Sequence, residues 1–150
     1  MKKEYEELQK KYNLPSLKEM DSDFQISTIE KKIFLTREIV KKISEKMEKF
    51  THLMEEILSP ESGLSSLNES SMFDTEEKKE ILKIYRKLMY NHRTNTLLSI
   101  NYDEKEYAKQ INILFDEWQI MKPSLEKIVK KMQNSWNKDK KTKLELSYFG

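Results

Sequence analysis

The side chains that could support metal or cofactor chemistry are few in this 150-residue chain, which holds two histidines and no cysteine. His52 lies near Glu55 and Glu56 in the sequence, but two histidines without a cysteine make a poor ligand set for a transition metal. The Glu-x-x-His pairs of di-iron bundles are absent, because Lys49 and Met89 stand three residues before the two histidines. Two glycines cannot build a phosphate-binding loop. We therefore predict neither a metal site nor a cofactor.

One spacing in the sequence could serve an enzyme, since Arg86 and His92 are separated by five residues. This pattern resembles the Arg-x(4–6)-His motif of HEPN ribonucleases, which are also small all-helical proteins. The resemblance implies that Arg86 would hold a phosphate and that His92 would assist proton transfer. The alternative interpretation is structural, with His92 at the edge of a buried helix face and bonded to a neighbouring side chain.

A polar run that includes His92 interrupts the apolar face of the helix predicted over residues 74–100. We expect the buried face to resume at Leu97, Leu98 and Ile100. Two interpretations of the run stay open, a polar contact inside the bundle and a ligand or partner site, since arginine suits planar recognition of carboxylate or phosphate. The residues of this polar patch are Tyr90, Asn91, His92, Arg93 and Asn95.

Positive charge is concentrated near the C-terminus. The net charge of the chain is +2, yet residues 122–143 hold eight lysines against Glu126 and Asp139. A solvated lysine-rich face explains this bias, and so does a contact with RNA, DNA or an acidic protein surface. The lysines that would make such a contact are Lys127, Lys130, Lys131, Lys138, Lys140, Lys141 and Lys143.

The clearest element in the sequence is a long helix, indicated by an apolar stripe with alternating steps of four and three residues. Such a stripe is typical of an amphipathic helix that packs against other helices. Ser27 and Glu30 form a capping-box pattern, so we predict this helix over residues 27–58. The members of the stripe are Ile29, Ile33, Thr36, Val40, Ile43, Met47, Phe50, Met54 and Ile57.

Further capping patterns predict helices that begin after Ser16, Asp74 and Asp103. Pro123 either kinks the last of these helices or opens a new one at its first turn. Residues 59–73 are serine-rich, and we interpret them as a long loop pinned to the bundle by apolar side chains.

Together these elements predict an all-α fold, a bundle of four to five main helices around a long central helix at residues 27–58. The scarcity of glycine and proline also favours helix over sheet. We expect a single helical domain over residues 1–136, with short N-terminal helices over residues 1–26. A basic flexible tail over residues 137–150 follows this domain.

Several segments resemble a family of uncharacterised helical proteins from small-genome archaea. They are residues 14–17, 24–27, 34–39, 73–78, 87–89 and 133–136. This resemblance implies no activity and no functional residues. Residues 46–50, followed by a loop and Glu76-Glu77, are similar to the helical domain of GINS replication-complex subunits, which is an analogy of fold alone.

These features favour a non-enzymatic function, as an interaction or adaptor protein that offers a helical face to a protein partner. The stripe serves homodimers as well as bundles, so self-association stays open. The first alternative is a nucleic-acid- or ribosome-associated factor that uses lysines of residues 122–143, and the second is a HEPN-like ribonuclease. No apolar run approaches the roughly 20 residues of a membrane span, and the N-terminus is too charged for a signal-peptide core. We therefore expect a cytoplasmic protein without membrane contact.

Overall fold

The computed structural model of the protein describes residues 1–137, and every regular element in them is helical. Since these residues contain no β-strand, the predicted all-α class is confirmed. A short 3-10 helix, Ile26–Thr28, lies between the second and third α-helices. The α-helices are α1 (Lys2–Tyr12), α2 (Leu17–Phe24), α3 (Leu35–Leu58), α4 (Leu64–Ser71), α5 (Thr75–Leu98) and α6 (Glu104–Asn134). Beyond Asn137, the predicted tail lies outside the described residues.

Local sequence explains where two of these helices begin. Ser16 Oγ accepts a hydrogen bond from the Glu19 N–H at 3.2 Å, and Glu19 Oε2 accepts one from the Ser16 N–H at 3.1 Å. Asp74 and Glu77 exchange the same pair of hydrogen bonds at the start of α5, at 2.8 and 3.1 Å. The predicted capping boxes at Ser16 and Asp74 are therefore confirmed.

The predicted start of the long helix at Ser27 is wrong, because α3 begins at Leu35. The Ser27 N–H donates to Asp21 Oδ1 at 2.8 Å, so this residue of the 3-10 helix is bonded back to α2 and does not cap α3. Phe34 has a φ of 55°, a left-handed conformation that an α-helix cannot contain. Ile33, expected on the buried stripe, is 75% exposed.

From Thr36 onward the predicted stripe is buried at every position except Phe50, and to that extent the prediction is confirmed. Ile43 and Met54 are fully buried, whereas Phe50 is only half-buried. The helix ends at Leu58, directly before Ser59, as expected where a following proline disfavours helical geometry.

The loop predicted over residues 59–73 contains a helix, α4, so this interpretation is wrong. Serine disfavours helix interiors because its hydroxyl competes for backbone hydrogen bonds, and the pattern therefore looks like a loop. Polar contacts hold the helix in place. Ser70 Oγ donates to the Ile57 carbonyl at 2.7 Å, and Asn68 Nδ2 donates to the carbonyl and Oγ of Ser135 at 3.2 and 3.1 Å.

Contacts among the described residues divide the chain into two compact units. The first unit comprises Met1–Glu48 and Met89–Ile120, and the second comprises Lys49–Leu88 and the described residues from Met121 onward. Helices α3, α5 and α6 each contribute residues to both units, and α6 contains Pro123 in its interior. The first core includes Tyr5, Met20, Ile26, Ile39, Ile43, Ile111 and Leu114, and the second includes Met54, Ile57, Ile81 and Leu88, none more than 2% exposed.

Candidate functional site

A groove of about 540 Å³ lies in the second unit, between the N-terminal part of α5 and the C-terminal part of α6. We call it the charged groove. Its apolar floor is formed by Phe73, Ile81, Ile84 and Ile128. Polar and charged residues surround the floor, namely Glu77, Glu80 and Lys83 from α5 and Ser124, Lys127, Lys130, Lys131 and Asn134 from α6.

Helical periodicity explains why these residues share one groove. On α6 the lining positions Ser124, Ile128 and Lys131 recur at steps of four and three residues, and such positions lie on one side of a helix. On α5 the positions Glu77, Glu80 and Ile84 recur at steps of three and four. The two helices therefore present one face each to the same space.

Lys131 makes the closest contacts of the lysines that line the groove. Its Nζ donates to Glu77 Oε2 at 2.5 Å and lies 5.3 Å from the centroid of the Phe73 ring. This hydrogen bond lowers the pKa of Glu77 below its ordinary value, and a further hydrogen bond from the Asp74 backbone lowers it in the same direction. Lys131 is therefore paired with Glu77 across the groove and is not free to bind a phosphate.

Three of the seven candidate lysines lie in the described part of the chain, and all three line the charged groove. Lys127 and Lys130 are exposed, and neither makes an ion pair with another described residue. The other four candidates, Lys138, Lys140, Lys141 and Lys143, lie outside the described residues. Of the predicted basic surface, the described part therefore offers two exposed lysines beside an apolar floor, while Lys131 is paired with Glu77.

The polar patch predicted on α5 divides into an inward and an outward part. Asn91 Nδ2 donates to Glu117 Oε2 on α6. Asn95 Nδ2 donates to Ser44 Oγ on α3 at 2.7 Å, and Asn95 Oδ1 accepts from Gln110 Nε2 on α6 at 2.9 Å. These two asparagines connect α5 to α3 and α6 inside the first unit.

The remaining patch residues face other surroundings. His92 Nδ1 lies 3.7 Å from Glu48 Oε1 on α3, as in the structural interpretation of this histidine. Tyr90 is 74% exposed and Arg93 is also exposed. The expectation that the buried face resumes at Leu97, Leu98 and Ile100 is wrong for Leu97 and Ile100, which are 68% and 69% exposed, and Leu98 is half-buried.

The residues of the HEPN-like pattern lie on one helix but point in different directions. A separation of six residues on an α-helix rotates two side chains by about 120° relative to each other and moves them about 9 Å along the axis. Arg86 is exposed, whereas His92 is half-buried beside Glu48. Helix α5 therefore does not by itself direct both side chains to one phosphate.

The described residues also offer little to a metal ion. His52 Nε2 lies 3.6 Å from Glu56 Oε1, one helical turn away, and its side chain is 74% exposed. Residues 1–137 contain no group of three or more histidine, aspartate or glutamate side chains placed to hold a metal. Within the same range, no helix is both long enough and apolar enough to cross a membrane.

The sequence did not predict that these residues form one groove. It predicted an apolar helix face within residues 74–100 and a basic surface within residues 122–143, without combining the two. The signal that could have joined them is Glu77, which is both the capping residue of α5 and, at 2.5 Å, the partner of Lys131.

The fold and groove define an all-α protein with an apolar, charge-rimmed groove between two helices. No family model, no curated protein and no solved structure matches the chain. The resemblances to an archaeal helical family and to GINS subunits stay predictions.

Proposed function

We propose that this protein is a non-enzymatic interaction protein whose charged groove binds an amphipathic helix of a partner protein. The observation that carries the proposal is the apolar floor between α5 and α6, which has charged residues along both sides. In helix-in-groove recognition, an amphipathic helix lays side chains at positions i, i+3, i+4 and i+7 into such a floor.

The dimensions of the charged groove support a short helical partner. Its α6 wall extends from Ser124 to Asn134, which corresponds to about 15 Å at 1.5 Å per residue. Roughly ten residues of a partner helix cover this length. In the floor, Ile81 is fully buried whereas Ile84 is half-buried, so Ile84 is the position that an incoming apolar side chain would cover.

Charge on the two rims indicates the chemistry of the partner helix. On the α5 rim, Glu80 already pairs with Lys83 at 3.0 Å. On the α6 rim, Lys127 and Lys130 have no ion-pair partner in residues 1–137. A partner helix with acidic residues along one flank would therefore complement the α6 rim. Such complementarity sets orientation and speeds association more than it adds affinity.

A nucleic-acid-associated factor is the second candidate, because the same two lysines would attract phosphate. Two features favour the protein partner over it. Lys131 is hydrogen-bonded to Glu77, which places a carboxylate in the groove. The floor beside the lysines is apolar, and a phosphate backbone would leave it uncovered.

The test is a fluorescence-anisotropy comparison of two classes of probe on the full-length chain. One class is a set of designed amphipathic peptides of about 15 residues that share an apolar face and carry acidic, neutral or basic flanks. The other is a total-RNA pool and a DNA duplex, at low and high salt. We expect the acidic peptide to bind in the micromolar range and more tightly than the other two peptides.

Variants make the comparison specific to the groove. Lys127→Glu/Lys130→Glu should weaken binding of the acidic peptide by about tenfold or more. Lys10→Glu/Lys18→Glu is the matched control, since it changes the net charge equally at exposed sites on other helices. Salt-sensitive RNA binding that the groove variant abolishes, with no peptide binding, would replace this proposal by the nucleic-acid function.

A further inference from the structure

The chain leaves its last helix directly beside the charged groove. Asn134 is the final residue of α6, and it lines the groove. The Asn137 N–H donates to the Asn134 carbonyl at 3.1 Å, and Trp136 Nε1 donates to Glu69 Oε2 on α4 at 3.1 Å. The last described residues are therefore held at one end of the groove, and the sequence that follows them begins there.

The start of α5 lies at the same end of the groove, because Lys131 contacts both Glu77 and Phe73. From this end, α6 lines the groove back to Ser124, and α5 lines it as far as Ile84. A segment that enters the groove from the end of α6 therefore runs antiparallel to that helix. It reaches Ile84, the half-buried residue of the apolar floor.

The sequence beyond the described residues has the pattern that such a segment needs. Leu144, Leu146 and Tyr148 alternate with the polar residues Glu145 and Ser147. Alternate residues of an extended segment lie on the same side, so the three large side chains share one side. Five extended residues span about 14 Å, close to the roughly 15 Å of the α6 wall.

We propose that residues 138–150 bind in the charged groove of the same molecule. Leu144, Leu146 and Tyr148 contact its apolar floor. Residues 138–143 connect the end of α6 to the groove, and six residues can reach about 20 Å, which is enough to reverse the direction of the chain. This inference rests on the proposed function and deepens it, since it names a segment of this chain that the partner helix must displace.

The order of charges along the segment matches the order along the groove. Four lysines come first, namely Lys138, Lys140, Lys141 and Lys143. They leave α6 beside residues 74–80, which hold four acidic side chains against two lysines. Glu145 follows and meets the α6 rim, where Lys127 and Lys130 have no ion-pair partner within the described part of the chain. The segment therefore complements the same rim as an acidic partner helix.

The short connection allows even a weakly binding segment to cover the groove. A short linker gives an effective concentration on the order of millimolar, so an intrinsic dissociation constant of about 1 mM leaves the groove covered roughly half of the time. A partner in free solution competes with this covered state. Its apparent affinity for the full-length chain is therefore lower than its affinity for the open groove.

Disulfide crosslinking in the full-length chain tests where the segment lies, since the chain has no native cysteine. Ser124→Cys/Ser147→Cys places one thiol on the groove wall and one in the segment. A disulfide requires the two Cα atoms to approach within about 7 Å. At micromolar protein, this pair should form an intramolecular disulfide at least about tenfold faster than Glu126→Cys/Ser147→Cys.

The Glu126 variant is the matched control, because Glu126 is exposed two residues from Ser124, about 200° around the helix, and does not line the groove. Equal rates of disulfide formation in the two variants would overturn the inference. The products are separated by their mobility under non-reducing conditions, and a disulfide between two molecules is excluded by its mass.

Peptide binding separates failure of this inference from failure of the proposed function. Leu144→Ser/Leu146→Ser keeps the net charge of the full-length chain and should tighten binding of the acidic peptide by about threefold or more, because the competing side chains are gone. Thr142→Ser is the control and should leave the affinity unchanged. Peptide binding that the leucine variant does not tighten would overturn the inference alone. Rapid crosslinking without peptide binding to either chain would overturn the proposed function alone.

Discussion

Lys131 on α6 donates a hydrogen bond to Glu77 on α5 at 2.5 Å, across the charged groove. The same glutamate accepts a hydrogen bond from the Asp74 backbone at 3.1 Å and so completes the capping box of α5. One carboxylate therefore both begins a helix and attaches it to a second helix 54 positions further along the chain.

Replacement of Glu77 by glutamine should lower the free energy of unfolding by about 0.5–1 kcal/mol near pH 7, the scale of a partly exposed ion pair, since glutamine can still accept the capping hydrogen bond from Asp74. The hydrogen bond from Lys131 lowers the pKa of Glu77 below its ordinary value of 4.5. A carboxyl group with a lowered pKa stabilises the folded chain above its unfolded pKa and loses that effect as the pH falls through the folded value. The difference between wild type and variant should therefore shrink below about pH 4.5.

Urea unfolding at several pH values measures this difference. Glu76→Gln is the control, because the Glu76 side chain is 81% exposed and pairs with Lys79 one turn away. Equal effects of the two substitutions at neutral pH would contradict the role assigned to Glu77.

Replacement of Asn95 by leucine should destabilise the first unit by about 1–3 kcal/mol, the range for a buried polar group that loses its partner. Asn95 accepts a hydrogen bond from Gln110, which is only 3% exposed, and donates one to Ser44. A leucine of similar size leaves the Gln110 amide without this acceptor. Thermal unfolding followed by circular dichroism reports the loss, and Thr96→Ala at an exposed position of the same helix is the control.

Ile43→Ala and Ile33→Ala should have very different effects, although both residues belong to the stripe seen in the sequence. Ile43 is fully buried, so its truncation should cost about 2–5 kcal/mol. Ile33 precedes α3 and is 75% exposed, so its truncation should change stability by less than about 0.5 kcal/mol. Unfolding in guanidinium measures the free energy of unfolding of both variants. Similar losses for the two variants would mean that the long helix extends to Ser27 after all.

His92→Ala should leave RNA turnover unchanged, since Arg86 and His92 point about 120° apart on α5. The measurement is the decay of a fluorescent RNA with purified wild-type and variant protein, alongside circular dichroism of both. RNA cleavage by the wild type that the folded His92→Ala variant lacks would support the ribonuclease alternative instead.

Local signals in the sequence predict the fold well where a few adjacent residues determine the structure. The capping boxes at Ser16 and Asp74 and the end of α3 before Ser59 need no information from elsewhere in the chain. The start of α3 could not be found in this way. It depends on a hydrogen bond that ties Ser27 to Asp21 and on the left-handed backbone of Phe34.

The candidate surfaces were less predictable, because they combine residues from distant parts of the chain. Phe73 and Ile128 share one groove although 55 positions separate them. The residues of the polar patch on α5 look alike in the sequence, yet their contacts differ. Asn91 and Asn95 hydrogen-bond to polar side chains on other helices, whereas Arg93 has no such partner in residues 1–137. The pattern of residues along one helix does not show which residues of other helices they contact.

The division of α3, α5 and α6 between two units has a consequence for synthesis of the protein. The chain leaves the first unit at Glu48, re-enters it at Met89 and completes it only at Ile120. A ribosome extends a chain from its N-terminus at about 5–20 residues per second, so residues 1–48 must wait for the greater part of the chain to emerge. The second unit waits longer still, for residues beyond Met121. Neither unit can therefore complete its fold until most of the chain has been synthesised. For the same reason, cleavage of the chain at a single position cannot separate either unit intact.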